Sequence, residues 1–230
     1  MIIREAWGLY WKHFSALATI MLMVWVPCEF AQNWIEYHLF SPDNVGATYR
    51  LERFVNGFIG IIATSGVYYY LNEVKVRSDA SVGQAFSMGF KYWGWMFGTR
   101  LVMGIGLLLG FLLLILPGIY LWVRWSLSEL LVVTEGVAGT SALRRSFDLT
   151  KGKFWRLFGW LVVGSLPALV PMMGIEAVLS LVSALDNWLA NAIGGSLADL
   201  IAIYLFALIR AIYVRLLAED ELCGEAVRAA

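Results

Sequence analysis

Among the ionisable residues inside otherwise apolar stretches of this chain, Glu29, Arg124, Glu129 and Arg210 are the candidates for chemistry. A charge in an apolar span is costly, so it is paired with an opposite charge or serves an ion, a ligand or a proton path. Counting helical rises puts Glu29 level with Arg124, and Glu129 level with Arg210. Two interhelical ion pairs are therefore predicted. Two chemistries stay open. The pairs lock a helix bundle, or they line a polar cavity that binds a headgroup or passes an ion.

Other chemistry is harder to assemble. The only histidines, His13 and His38, are expected on opposite sides of a membrane, so no metal site follows from them. No glycine-rich loop with a lysine suggests a nucleotide site. Ser126 and Ser128 stand near Glu129, but serine is common between membrane helices, and no serine has a convincing base. No catalytic residue and no cofactor are expected. Cys28 and Cys223 make no disulfide framework. No basic domain stands apart, which argues against a nucleic-acid partner.

The elements that must position these residues are long and apolar. The 230 residues are 60% hydrophobic and 15% charged, and the mean hydropathy is +0.71. Soluble domains are about 45–50% apolar and about 25% charged. The fold expected is an all-α integral membrane protein, one transmembrane domain over 1–230, with six spans at 14–33, 54–71, 96–116, 118–134, 154–173 and 195–217. Pro117 and Gly118 read as the hairpin turn between the third and fourth spans. The first span reads as uncleaved. Arg4, Lys12, Lys91, Arg144, Arg145, Lys151, Lys153 and Arg156 fall on one side and Arg50 and Arg53 on the other. That asymmetry predicts cytoplasmic N- and C-termini.

One pattern recurs three times. A short aromatic and basic amphipathic helix precedes each hairpin, giving parallel units of about 1–78, 79–138 and 139–217 and a tail at 218–230. The first helix has its stripe at Ile3, Ala6, Trp7, Tyr10, Trp11 and Phe14. The second follows a cap at Asp79, and the third follows Thr140-Ser141. All three are expected flat on the cytoplasmic interface, with cations toward lipid headgroups. A polar outer loop is expected around Ser41-Pro42-Asp43-Asn44, and a helix from Ile175 to Leu189 is expected flat on the outer leaflet. Pro167 and Pro171 predict a kink, and Gly106 and Gly110 predict close helix approach.

Two strings are distinctive: Pro117-Gly118-Ile119-Tyr120-Leu121 with Arg124, and Glu135-Gly136 with Ala142-Leu143-Arg144-Arg145-Ser146-Phe147, Leu149-Thr150, Gly152 and Phe154-Trp155. Together they resemble a poorly characterised bacterial six-span inner-membrane family, the YciC-like proteins. They are similar also to the membrane domain fused to some glycerophosphoryl diester phosphodiesterases. The resemblance implies architecture and a multi-pass place in a bacterial inner membrane. The phosphodiesterase's catalytic domain has no counterpart here. By association with phospholipid breakdown, it suggests a module that handles lipid or holds an enzyme at the membrane.

The function expected is non-catalytic. A basic cytoplasmic face of Arg144, Arg145, Lys151, Lys153 and Trp155 would bind membrane lipids or a protein partner. The alternative is a small transporter or channel that uses Glu29, Arg124, Glu129 and Arg210.

Overall fold

Apolar runs long enough to cross a bilayer satisfy their backbone groups there only as helices or closed barrels. In the computed structural model they are helices, and among the described residues there is no strand. The described residues are 2–39, 50–52, 54–76, 80–183 and 188–229. The expected loop at 41–44, the cap Asp79, Arg53 and Leu185 lie outside them.

The elements are α1 (Ile2–Lys12), α2 (Phe14–Leu39), a π-helical turn (Val55–Ile59) leading into α3 (Gly60–Val76), α4 (Val82–Lys91), α5 (Trp93–Leu113), α6 (Ile115–Arg124), α7 (Ser128–Thr134), α8 (Thr140–Leu149), α9 (Phe154–Ser183) and α10 (Trp188–Ala229). Six stretches are long and apolar enough to span a membrane: Phe14–Leu39, Arg50–Val74, Trp93–Leu113, Ile115–Thr134, Phe154–Leu181 and Trp188–Glu221. They coincide with the six expected spans and extend most of them.

The short amphipathic helices do not rest on an open interface. Each packs its buried face on protein. In α1, Ile2, Ala6 and Tyr10 are buried, the Tyr10 hydroxyl donates to the Leu200 carbonyl at 3.3 Å, and Trp7 lies edge-on to Tyr204. Helix α4 doubles back along α3, where a Cβ on Gly89 would meet the Ile62 carbonyl at 2.5 Å. Helix α8 doubles back along α7 and caps the end of α6. A neighbouring helix thus takes up the small residues and part of the apolar stripe of each short helix. Trp7, Trp11 and Phe90 remain exposed on the outer faces.

The α5–α6 reversal falls earlier than the expected turn at Pro117-Gly118. Leu114 alone is extended, at φ −165 and ψ 150, and α6 starts at Ile115. Pro117 sits in the first turn of α6, where its missing N–H removes an otherwise orphaned donor. Gly118 serves packing, because a side chain there would enter the Phe111 ring. The tip is apolar and open, with Leu112 and Leu116 each 78% exposed, as suits contact with lipid.

Two further expectations change. Helix α9 runs unbroken through Pro167 and Pro171 to Ser183, so 175–183 is its continuation and no separate outer helix starts there. The expected topology also puts Pro117 and Trp155 on opposite faces of the membrane. Here both line one apolar cavity. Because α8 doubles back, α9 begins beside the start of α6.

Candidate functional site

Arg124 ends α6 and is 2% exposed. The helix breaks after it, at Trp125–Leu127, which frees the Arg124 carbonyl from an intrahelical partner. Helix α8 supplies a replacement: Ser146 Oγ donates to that carbonyl at 2.7 Å, while Thr150 Oγ1 lies 3.3 Å from it and makes its shorter bond, 2.7 Å, to the Ser146 carbonyl. Both side chains are fully buried. Next to Ser146 on α8, Phe147 lies against the guanidinium, its ring centre 3.9 Å from the guanidinium carbon. Such a cation–π contact is worth about 0.5–2 kcal/mol, well short of the cost of burying a charge.

The guanidinium has no carboxylate of a described residue at ion-pair distance, and its Nε is buried without a hydrogen-bond partner. It opens on a cavity of about 770 Å³, shared with Tyr120, Lys153, Trp155, Arg156 and Glu219. Gly152 turns the chain into this cavity with φ at +74, a conformation that favours glycine. Lys153 immediately precedes α9 and Arg156 lies in its first turn, and both meet the Glu219 carboxylate of α10. Lys153 Nζ does so at 3.1 Å, and Arg156 is in closer contact. Arg215 reaches the same carboxylate at 3.7 Å, so Glu219 is shared by three cations while Arg124 lines the cavity beside them.

A second cavity of about 550 Å³ adjoins the first. It is lined by Leu116, Pro117, Ile119 and Phe158, and it shares Tyr120, Phe154 and Trp155 with the charged cavity. A cationic pocket and an apolar groove thus meet at three aromatic rings. The two distinctive sequence strings converge here, supplying Pro117, Tyr120, Arg124, Ser146, Phe147, Thr150, Gly152, Phe154 and Trp155.

The other intramembrane charges lie elsewhere. The predicted pairs Glu29–Arg124 and Glu129–Arg210 do not form. Glu129 instead takes a two-pronged bond from Arg100, at 2.9 and 3.0 Å. Arg100 also donates to Thr64 Oγ1 at 3.1 Å. Arg100 and Glu129 stand almost equally far from the Leu114 break, so the hairpin itself brings them level. Glu29 packs against Gly195 and accepts from Asn33. It lines a polar cavity of about 490 Å³ with Glu52, Asn56, Glu176 and Asn191. Gly195 and Glu219 lie about 36 Å apart along α10 at about 1.5 Å per residue, so Glu29 and Arg124 sit at opposite ends. Arg210 is 7% exposed, with its Nε unpartnered.

The expected basic face is divided. Lys153 and Trp155 line the cavity. Arg145 bonds Glu135 at 2.8 Å, and that carboxylate holds its guanidinium above the ordinary value. Arg144 and Lys151 are exposed. Arg156 and Glu219 were not among the expected site residues. Their signals were the Lys153/Arg156 and Arg215/Glu219 spacings, each placing two charges on one helical face. Among the described residues no group of three or more His, Cys, Asp or Glu could hold a metal ion.

Six helices long and apolar enough to span a bilayer fit a multi-pass membrane protein. The chain belongs to the family described as "Domain of unknown function (DUF7847)", which matches residues 48–219 and so takes in every residue of both cavities. No curated protein and no solved structure matches it.

Proposed function

We infer that this protein is a non-catalytic, multi-pass membrane module that engages lipid through a basic cytoplasmic site. The observation that carries this reading is Arg124. A cation 2% exposed, with no carboxylate of a described residue at ion-pair distance, beside Lys153 and Arg156 and next to an apolar groove suits a ligand that is anionic at one end and apolar at the other. The resemblance to the YciC-like proteins and to the phosphodiesterase-linked membrane domain belongs to the same reading. So does a bacterial inner membrane with both termini in the cytoplasm, which the lysine and arginine distribution supports. Three parallel units are supported by the way α4 packs on α3, α8 on α7 and α1 on α10.

A test is lipid retention. Protein extracted into nanodiscs of mixed phosphatidylcholine and phosphatidylglycerol should carry more of the anionic lipid than the bulk. Arg144→Gln with Lys151→Gln should reduce that enrichment by roughly 1 kcal/mol per charge removed. A lipid composition equal to the bulk in the wild type would contradict the reading.

A small transporter or channel is the second reading. The polar cavity at Glu29 favours it, lying at the other end of α10 from Arg124. Of the three cavities described, none holds two of Glu29, Arg124, Glu129 and Arg210, and that weighs for the lipid module. Proteoliposomes that pass ions, and cease to with Glu29→Gln, would reverse the order.

A further inference from the structure

We propose that the Arg124 cavity and the adjoining groove form one binding site for a lipid whose headgroup ends in a phosphate monoester. This rests on the lipid-module reading and narrows it to a ligand class. The charge count sets the headgroup. Arg124, Lys153 and Arg156 line the cavity with Glu219. Arg215 also meets Glu219 at 3.7 Å and Asp148 acts on Arg124 from outside the lining, so four cations against two carboxylates leave two positive charges unmatched. A phosphate monoester carries about 1.5 to 2 negative charges at neutral pH, as phosphorylated side chains do. A phosphodiester carries one, and a zwitterionic headgroup has no net charge.

The donor geometry agrees. The cap holds the Arg124 backbone, and the Phe147 and Tyr120 rings lie at 3.9 and 5.7 Å from its guanidinium carbon, which orients the group toward the cavity. A planar fork of N–H donors suits phosphate oxygens. Lys153 adds a point charge. The first turn of α9 lines the same cavity, and its leading N–H groups lack intrahelical partners, the arrangement that favours phosphate. The buried, unpartnered Nε of Arg124 is the sign that the donor set is incomplete without an anion.

The groove sets the rest of the ligand. It continues from the cavity across Tyr120, Phe154 and Trp155 to Leu116, Pro117 and Phe158. The occupant assigned to it is an acyl chain of the same lipid. Glu219 occupies Lys153 and Arg156 when no ligand does. An arriving phosphate competes with that carboxylate, so neutralising Glu219 should tighten binding.

The test uses the whole chain in detergent, titrated with phosphatidic acid, phosphatidylglycerol, phosphatidylcholine and glycerol 3-phosphate, and read by native mass spectrometry. One phosphatidic acid is expected per chain, held at least tenfold more tightly than phosphatidylglycerol. Arg124→Gln and Lys153→Gln should each weaken it tenfold or more, and Glu219→Gln should strengthen it severalfold. Lys153 is a surface residue, so its variant still reports if Arg124→Gln fails to fold. Equal affinity for both anionic lipids would overturn the monoester assignment and leave the lipid module standing. Tight glycerol 3-phosphate with no preference for the lipid would keep the phosphate pocket and overturn the groove. No lipid retained by any form would overturn this proposal and the lipid module together.

Discussion

Arg100 and Arg124 belong to one hairpin, yet their surroundings are opposite. Arg100 meets Glu129 through two bonds and Thr64 through a third. Every strong interaction it makes is internal. Arg124 is less exposed, has its carbonyl rather than its guanidinium satisfied by the protein, and opens on a cavity. The first arginine closes the hairpin onto α3. The second is held in place and left unmatched. The lesson is that burial of a charge does not reveal its role; the partner does.

Breaking the Arg100 side should have the largest effect. Glu129→Ala leaves a cation uncompensated and should lower unfolding free energy by about 2–3 kcal/mol, discounted from a fully buried pair because both side chains keep some exposure. Arg100→Met with Glu129→Leu should return to within about 1 kcal/mol of the wild type. Reversible unfolding in mixed micelles measures both. If the double variant is no better than Glu129→Ala, Arg100 has work beyond the pair.

Arg124→Met sharpens the contrast. Without added lipid its stability should stay within about 1 kcal/mol of the wild type or rise, since a lone buried cation is replaced by an apolar side chain of similar length. With ligand at a hundred times its dissociation constant the wild type should gain about 2.7 kcal/mol, and the variant should gain nothing. Thermal unfolding with and without phosphatidic acid separates these cases.

A third arginine gives the lower limit. Arg145 pairs with Glu135 at a more exposed position, and Arg145→Ala should cost only about 0.2–1 kcal/mol. A loss as large as that of Glu129→Ala would mean that exposure misjudges this pair.

The smallest effect concerns His13, beside the buried Arg210. Burial first, then Lys12 and Arg210, hold its pKa below the ordinary 6.5. The folded state therefore binds fewer protons than the unfolded state over the window just below 6.5. Stability is greater above that window and falls as pH drops through it. His13→Gln should flatten this slope in a pH series of unfolding midpoints. An unchanged slope would assign it to another group.

Much of the frame was legible. Apolar length alone located six membrane-length helices, because a bilayer leaves a chain few other choices. The strings around Arg124 and Phe147 marked the residues that later converge on one cavity. Pairing was not legible. Depth counting from span ends put Glu29 beside Arg124, whereas helices that double back separate them by most of the length of α10. The Arg100–Glu129 pair needed the position of the Leu114 break, and the residues Pro117-Gly118 pointed three or four residues too late. Only part of each amphipathic stripe is buried: Ala6 and Tyr10 are, whereas Ile3, Trp7, Trp11 and Phe90 are exposed. Whether lipid or protein covers such a stripe depends on the neighbouring helix, which periodicity does not specify. Glu219 joined the site only through the fold, more than sixty residues from Lys153.

The most direct measurement is the unfolding of wild type and Arg124→Met in nanodiscs, each with and without phosphatidic acid. The account predicts that the lipid stabilises the wild type alone, and that the two proteins match when it is absent. A variant that is already destabilised without lipid, by as much as Glu129→Ala, would contradict it. Arg124 would then be a second structural arginine, and the cavity would have no claim to a ligand.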